Sequence, residues 1–408
     1  MKIFIVLCLV VASAAYKDPL SLILKSPKAT LKLYSDFKSK QDLKFSLAED
    51  RMRLRLFKKN AEFVASSNEV FEDSAEYELN FFSALTGDEK KQYLGLNVTN
   101  HLPNDDVPNM LSSVSAPSEK LWVNEGAVTE VKSQGSCGSC WTFAAVGGLE
   151  TRYKALSGRL RNFAEQEYLD CVYESTAGKS GCSGGWPDNA YAYSARNGGV
   201  KASTADYPYV ASDGSCKASS KPNSAVAYKI DGSTRIGSNE AANIVALASG
   251  SLSMAFEVTT HFQQYKGGIM KDTTCTGRIN HGVTGVGYTA NYVLVKNSWG
   301  SHWGEKGFVK YARNHDNCEL FKYSSHAKLV ATGSSDIGAD DTATDYNPDD
   351  SVIPDDVCED DSNNCRDEHC DSPLLAEKYC KKTCNLCPEC ASGTVKCPDG
   401  VCRHQHMC

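Results

Sequence analysis

Gln134-Gly135-Ser136-Cys137-Gly138-Ser139-Cys140-Trp141 runs directly into Thr-Phe-Ala-Ala-Val-Gly-Gly-Leu-Glu-Thr-Arg-Tyr-Lys-Ala-Leu. The run after Cys140 is apolar on most faces, the pattern of a helix buried all round. Cys140 then sits at the helix N-terminus, where the macrodipole favours a thiolate over a thiol. A neighbouring imidazolium would favour it further. A thioredoxin-like Cys-x-x-Cys and an ordinary disulfide pair are the competing readings. Against both stand Gln134, six residues before Cys140, and the lack of a strand-like run immediately upstream.

A thiolate nucleophile needs an imidazole to activate it and to protonate a leaving group. From Cys140 to Ala331 the chain offers His261, His281, His302, His315 and His326. The runs from Ile279 to Tyr288 and from Tyr292 to Asn297 are strand-like and joined by Thr289-Ala290-Asn291. An antiparallel pair centred on Thr289 places His281 opposite Asn297, whose amide can fix the ring's tautomer and orientation. Taken alone, His281 reads as a structural histidine and Asn297 as a turn residue; it is the set that matters.

Gln134, the Cys-Gly-Ser-Cys-Trp motif, His281 and Asn297-Ser298-Trp299-Gly300 together resemble the papain-like cysteine proteases of the cathepsin L type. The resemblance spans roughly residues 30 to 330. It implies an α+β fold of two lobes, one helical and one β-barrel-like, and a cysteine endopeptidase without cofactor or metal. It implies a catalytic set of Gln134, Cys140, His281 and Asn297, with Gln134 and the Cys140 amide holding the oxyanion. Trp299 would shield the His–Asn bond and Trp303 would line the leaving-group side. Cys182-Ser183-Gly184-Gly185 would present backbone to an extended substrate. Trp186, Pro187, Ala255, Ile279, Gly282 and Tyr323 would line an apolar subsite for the second residue before the scissile bond, shortened by Tyr323. The implied disulfides are Cys137–Cys182, Cys171–Cys216 and Cys275–Cys318, leaving Cys140 free. The insertion associated with carboxydipeptidase action is not evident, which favours endopeptidase action.

Upstream, AEDRMRLRLFKKNAEFVASSNE is built of good helix formers. Within it Glu49, Arg53, Phe57, Asn60, Val64 and Asn68 fall along one helical stripe. As a bare pattern this is a generic amphipathic helix; under the resemblance it matches the signature of an inhibitory propeptide that lies backwards through the cleft. A second proregion motif keeps Asn80 and Phe82, but Glu78 and Ala84 replace its usual Gly and Asp, and Leu121-Trp122-Val123 replaces the usual mature start Asp-Trp-Arg. These departures bear on activation rather than fold. Asn97-Val98-Thr99 is a glycosylation sequon on Asn97.

The whole chain has 408 residues, a net charge of −7 and 18 cysteines. Met1-Lys2, an apolar run to Val11 and Ala12-Ser13-Ala14-Ala15 read as a secretory signal, so an oxidising, secreted or endolysosomal setting is expected and no membrane span. Asp336 to Asp361 holds eleven acidic residues and no Lys or Arg, so it reads as a solvated linker; the rest shows no basic cluster that would bind nucleic acid. Beyond it Cys358, Cys365, Cys370, Cys380, Cys384 and Cys387 resemble a sea-anemone-toxin (ShK) module, which implies pairs Cys358–Cys387, Cys365–Cys380 and Cys370–Cys384. Leu374 and Leu375 stand where channel-blocking members carry Lys and Tyr, so a stabilising module or one with a protein partner is the favoured reading. Cys390, Cys397, Cys402 and Cys408 read as two further disulfides, although Cys402, His404, His406 and Cys408 also have metal-ligand spacing.

The expected order is a signal (1–15), a propeptide (16–115), a peptidase domain (116–330), an acidic linker (331–357), an ShK-like domain (358–387) and a Cys-rich tail (388–408). The expected partners are protein or peptide substrates and the chain's own propeptide. The rival functions are a catalytically silent binding protein and a toxin-like channel ligand.

Overall fold

The computed structural model describes residues 19–69, 75–96, 103, 105, 116–174, 178–199, 201–315, 318–336 and 339–348, with two short strands near the C-terminus. The signal segment, Asn97 and the six cysteines of the ShK-like pattern lie outside the described residues.

The chain forms two compact units, one of residues 1–71 with 352–408 and one of Glu72–Ser351. The expected propeptide is thus divided between them. In the first unit lie α1 (Pro19–Ile23), α2 (Pro27–Lys40) and α3 (Leu47–Glu69). Ser26 caps α2 through Ala29 N, and Pro27 occupies its first turn, where a missing N–H costs nothing. The stripe read from sequence is real: Arg53, Phe57, Asn60 and Val64 are buried, Arg53 pairs with Glu49 at 2.9 Å, and Phe57 packs on Tyr34 and Phe37 of α2.

The second unit contains β1 (Glu76–Tyr77), α4 (Gly87–Lys91), β2 (Lys120–Leu121), α5 (Cys140–Ser157), α6 (Glu165–Cys171), the pair β3 (Tyr173–Glu174) and β4 (Gly178–Lys179), and α7 (Pro187–Arg196). It continues through β5 (Tyr228–Ile236), α8 (Glu240–Leu247), β6 (Leu252–Phe256), α9 (Thr260–Gln263), β7 (Tyr265–Gly267) and β8 (Ile269–Met270) to β9 (His281–Tyr288), β10 (Tyr292–Lys296), β11 (Phe308–Ala312) and β12 (Ser324–Ala331). The fold is α+β, as expected. One sheet runs β5-β12-β6-β9-β10-β11-β8, with β2 added on β9, and α5 packs against β9.

Helix α5 is the axis of the helical half. Trp141, Ala145, Val146, Leu149 and Tyr153 bury against Phe163, Tyr168, Leu169 and Tyr191, while its other face meets the sheet. It ends at Gly158, whose φ of +74° is a left-handed cap that glycine adopts without strain. A second apolar cluster joins Trp122, Val128, Val286, Leu294 and Phe308.

Two expectations change here. The first concerns the hairpin: Lys296 pairs with Thr284 and Val293 with Tyr288, with a bulge between Leu294 and Val295. The register is therefore displaced by two or three residues from a turn centred on Thr289, because the chain reverses over Ala290-Asn291, with Thr289 N donating to Tyr292 O at 2.9 Å, and the bulge then takes back one residue. The second concerns the acidic segment, which is not a solvated linker at residue 336 or over residues 339–348. Asp336 pairs with Arg161 at 2.6 Å, Asp340 with Lys154 at 2.5 Å, and Asp341 accepts from Asn162 N at 2.7 Å. Ala343 forms an antiparallel bridge with Thr129, and the buried Tyr346 stacks on Phe308 with ring centroids 4.2 Å apart. The partners Lys154 and Arg161 lie some 180 positions upstream, which is why composition alone read the segment as unpartnered.

Among the described residues no helix is long and apolar enough to cross a membrane. Tyr346→Ala should cost about 3 kcal/mol of stability, in the range for emptying a buried aromatic site. Denaturant unfolding of the full chain with and without the substitution measures this.

Candidate active site

Cys140 opens α5 and His281 opens β9, so the α5–β9 packing brings both to the same end of the unit. The approach is very close: a Cβ on Gly282 would lie 3.2 Å from the Cys140 carbonyl oxygen and 3.2 Å from the Ala144 Cβ. Both Cys140 and His281 are fully buried. His281 Nε2 meets Asn297 Oδ1 at 2.8 Å, so the two side chains join as expected despite the displaced strand register. With Nε2 facing an amide oxygen, the ring's donor is fixed there and Nδ1 is left for another partner.

Trp299 covers this bond, its ring 4.8 Å from that of His281, and Phe262 packs on both. Trp303 is buried behind them and donates to Gln263 O at 3.3 Å. Gln134 is immobilised at both ends of its amide: Oε1 accepts from Ser298 Oγ at 2.7 Å and Nε2 donates to Cys137 O at 2.8 Å. Ser298 was not singled out from sequence, although the Asn-Ser-Trp-Gly motif contains it.

The cleft is filled by the chain itself. Glu76–Tyr77 pairs antiparallel with Tyr265–Gly267, Asn80 Nδ2 donates to Gln263 O at 2.8 Å, and Ser83 Oγ donates to Gln264 Oε1 at 3.0 Å. Phe82 packs edge-on against Trp299 at 4.5 Å. Farther on, the Tyr93 carbonyl accepts from Gln134 Nε2 at 3.2 Å, Gly95 N donates to Asn280 O at 3.1 Å, and Gly185 N donates to Gly95 O at 2.9 Å. Leu96 forms a parallel bridge with Gly185 and packs with Trp186, Ala255, Ile279 and Tyr323. Of the expected subsite, those four residues come together. Pro187 follows Trp186 as the first residue of α7, and Gly282 follows His281 in contact range of Cys140.

Only glycine fits two of these crossings. A Cβ on Gly95 would sit 1.8 Å from Gly138 O, and Gly184, at φ +116°, would place one 2.8 Å from Gly95 O.

Burial under this segment sets the charge state. The backbone amides of Gly282, Gly95, Trp141 and Cys140 favour a thiolate, but desolvation outweighs them and pushes the Cys140 thiol up to about 11. Desolvation likewise holds His281 down at about 4, against the opposing pull of Asn297 and the Tyr93 carbonyl. In this state the pair is a neutral thiol and a neutral imidazole.

Residues 116–328 match the sequence model described as papain family cysteine protease, just over half of the chain. The chain belongs to the papain family of cysteine proteases. It is 34% identical to cathepsin S of Mus musculus over 291 residues, covering 69% of this chain and 85% of that protein. Among solved structures it resembles digestive procathepsin L 3 of the Tenebrio molitor larval midgut, with TM-score 0.64 and 31% identity over 74% of this chain and 99% of that one. A recombinant stem bromelain precursor gives TM-score 0.65 and 32% identity, again over 74% and 99%. Both structures are precursor forms, and the helical and sheet regions here form the papain-like fold they share.

Two disulfides, Cys137–Cys182 and Cys171–Cys216, are formed and fit an oxidising compartment. The third expected bridge is not: Cys275 and Cys318 are free thiols in mutual contact, and Cys318 Sγ is turned to the Asp272 carbonyl at 3.4 Å. Cys140 is therefore not the sole free cysteine among the described residues, as the implied pairing would have made it. Among those residues no cluster of metal-ligating side chains occurs.

Gly95→Ala should expel the segment around residue 95, because the new Cβ has no room against Gly138. In the intact chain Cys140 should then alkylate markedly faster than in wild type, with the site read by peptide mass mapping.

Proposed function

We propose that the protein is made as a zymogen of a secreted or endolysosomal cysteine endopeptidase, in which residues 16–115 are the inhibitory propeptide. The observation that carries this reading is the segment 93–96, which lies between Gln134, Gly185 and Asn280 and buries Cys140 and His281 together. Its parallel bridge to Gly185 is the direction expected of a peptide laid backwards through the cleft. Removing it returns water to the pair, relieves the desolvation that keeps both groups neutral, and lets the amides around Cys140 and the dipole of α5 stabilise a thiolate.

The reaction then follows from the residues. The Cys140 thiolate attacks the scissile carbonyl carbon, forming the C–S bond, while the oxyanion is held by Gln134 Nε2 and the Cys140 amide. The His281 imidazolium gives its Nδ1 proton to the leaving amine as the C–N bond breaks, leaving a thioester. Neutral His281 takes a proton from water, the hydroxide equivalent displaces the thiolate, and the acid product leaves. Asn297 keeps the ring aligned through both steps. Leu96 among Trp186, Ala255, Ile279 and Tyr323 supports an apolar preference for the second residue before the scissile bond.

Three measurements follow. Cys140→Ser should abolish turnover and labelling by an epoxide thiol probe in the activated protein; a wild type that never labels would leave a silent binding protein. Gln134→Ala should lower kcat/KM about 10²–10³-fold, the usual loss for one oxyanion donor. Peptides with Leu at the second position before the cut should be cleaved at least about 10-fold better than those with Lys, since a buried unpaired charge there is costly.

A further inference from the structure

The papain family model ends at residue 328, yet the chain continues along the peptidase surface to Pro348. At its far end this strap meets a single carboxylate. Tyr346 donates its hydroxyl to Glu305 Oε2 at 2.8 Å, and Lys310 Nζ lies 3.0 Å from the same oxygen while also donating to Pro348 O at 3.0 Å. The other oxygen, Glu305 Oε1, accepts from Gly268 N at 2.7 Å and lies 3.3 Å from Tyr265 OH, which donates to Gly268 O at 2.6 Å. Tyr265 and Gly267 are the residues of β7 that register against Tyr77 and Glu76. Tyr265 also packs on Trp303, with ring centroids 5.8 Å apart. One buried carboxylate is thus shared by the C-terminal strap and the strand on which the cleft-filling segment is seated.

We infer that Tyr346 is a positioning residue: through Glu305 it holds β7 in the conformation that docks residues 76–77 and so keeps the segment over Cys140. Strand β7 is only three residues long and its antiparallel pairing with β1 is irregular between Glu76 and Tyr77, so its own ladder fixes it weakly. A charge-assisted hydrogen-bond network below the strand supplies the missing constraint. Two anchors at the other end of the strap, Asp336 on Arg161 and Asp340 on Lys154, are made on the helical half and do not reach Glu305. The inference rests on the reading of residues 75–96 as an inhibitory segment.

The test uses the intact chain at neutral pH and the rate at which an epoxide thiol reagent labels Cys140, measured beside the melting temperature. Tyr346→Phe removes only the hydroxyl and keeps the stack on Phe308. It should raise the labelling rate about fivefold, the effect of losing part of one charge-assisted hydrogen bond, with little change in melting temperature. Arg161→Gln loosens the strap at its other end and should lower the melting temperature while leaving labelling at the wild-type rate. An unchanged rate in Tyr346→Phe, or an equal rise in both variants, would overturn the inference. If wild type itself labels as fast as an exposed thiol, the inhibitory reading fails and the inference with it.

Discussion

Everything chemical in this protein depends on how closely the N-terminus of α5 presses on the first residues of β9. Gly282, with no side chain, lets the backbone after His281 rest on the carbonyl of Cys140 and on Ala144. A Cβ at Gly282 would meet both at 3.2 Å, so a larger residue would require them to give by a few tenths of an ångström. Because one partner is carried on a helix packed on most faces and the other on a fully buried strand, their relation is fixed by the core and not by flexible loops.

On the reading proposed above, that rigidity makes desolvation a means of control. With both groups at the bottom of a narrow contact between helix and sheet, a short stretch of chain suffices to exclude water from each. Residues 93–96 do so with backbone bonds to Gln134, Asn280 and Gly185 and a single apolar anchor, Leu96. The departures in the second proregion motif fit the same picture. Ala84 is buried, and the clamp beside it is made from the neutral side chains of Asn80, Ser83 and Gln264.

Much of this was legible in the sequence, for identifiable reasons. Cys140, Gln134 and the Asn-Ser-Trp-Gly segment are local motifs, and a motif carries its own geometry. His281 and Asn297 were paired correctly from a hairpin whose register was wrong, because side chains of that length reach across a displacement that backbone pairing does not tolerate. The strap was misread because its partners Lys154, Arg161 and Phe308 are remote, and charge counted along a chain says nothing about charge met in space. The free thiols of Cys275 and Cys318 likewise show that a pairing implied by resemblance still depends on where each sulfur points.

If the cleft segment holds the Cys140–His281 pair neutral, its removal creates the ion pair. The most direct measurement is the titration of the His281 imidazole by NMR in the intact chain and again after the segment has been cut away. The ring should stay neutral down to about pH 4 in the intact chain and carry a proton through pH 7 once the segment is gone. Identical titrations in the two forms would contradict this.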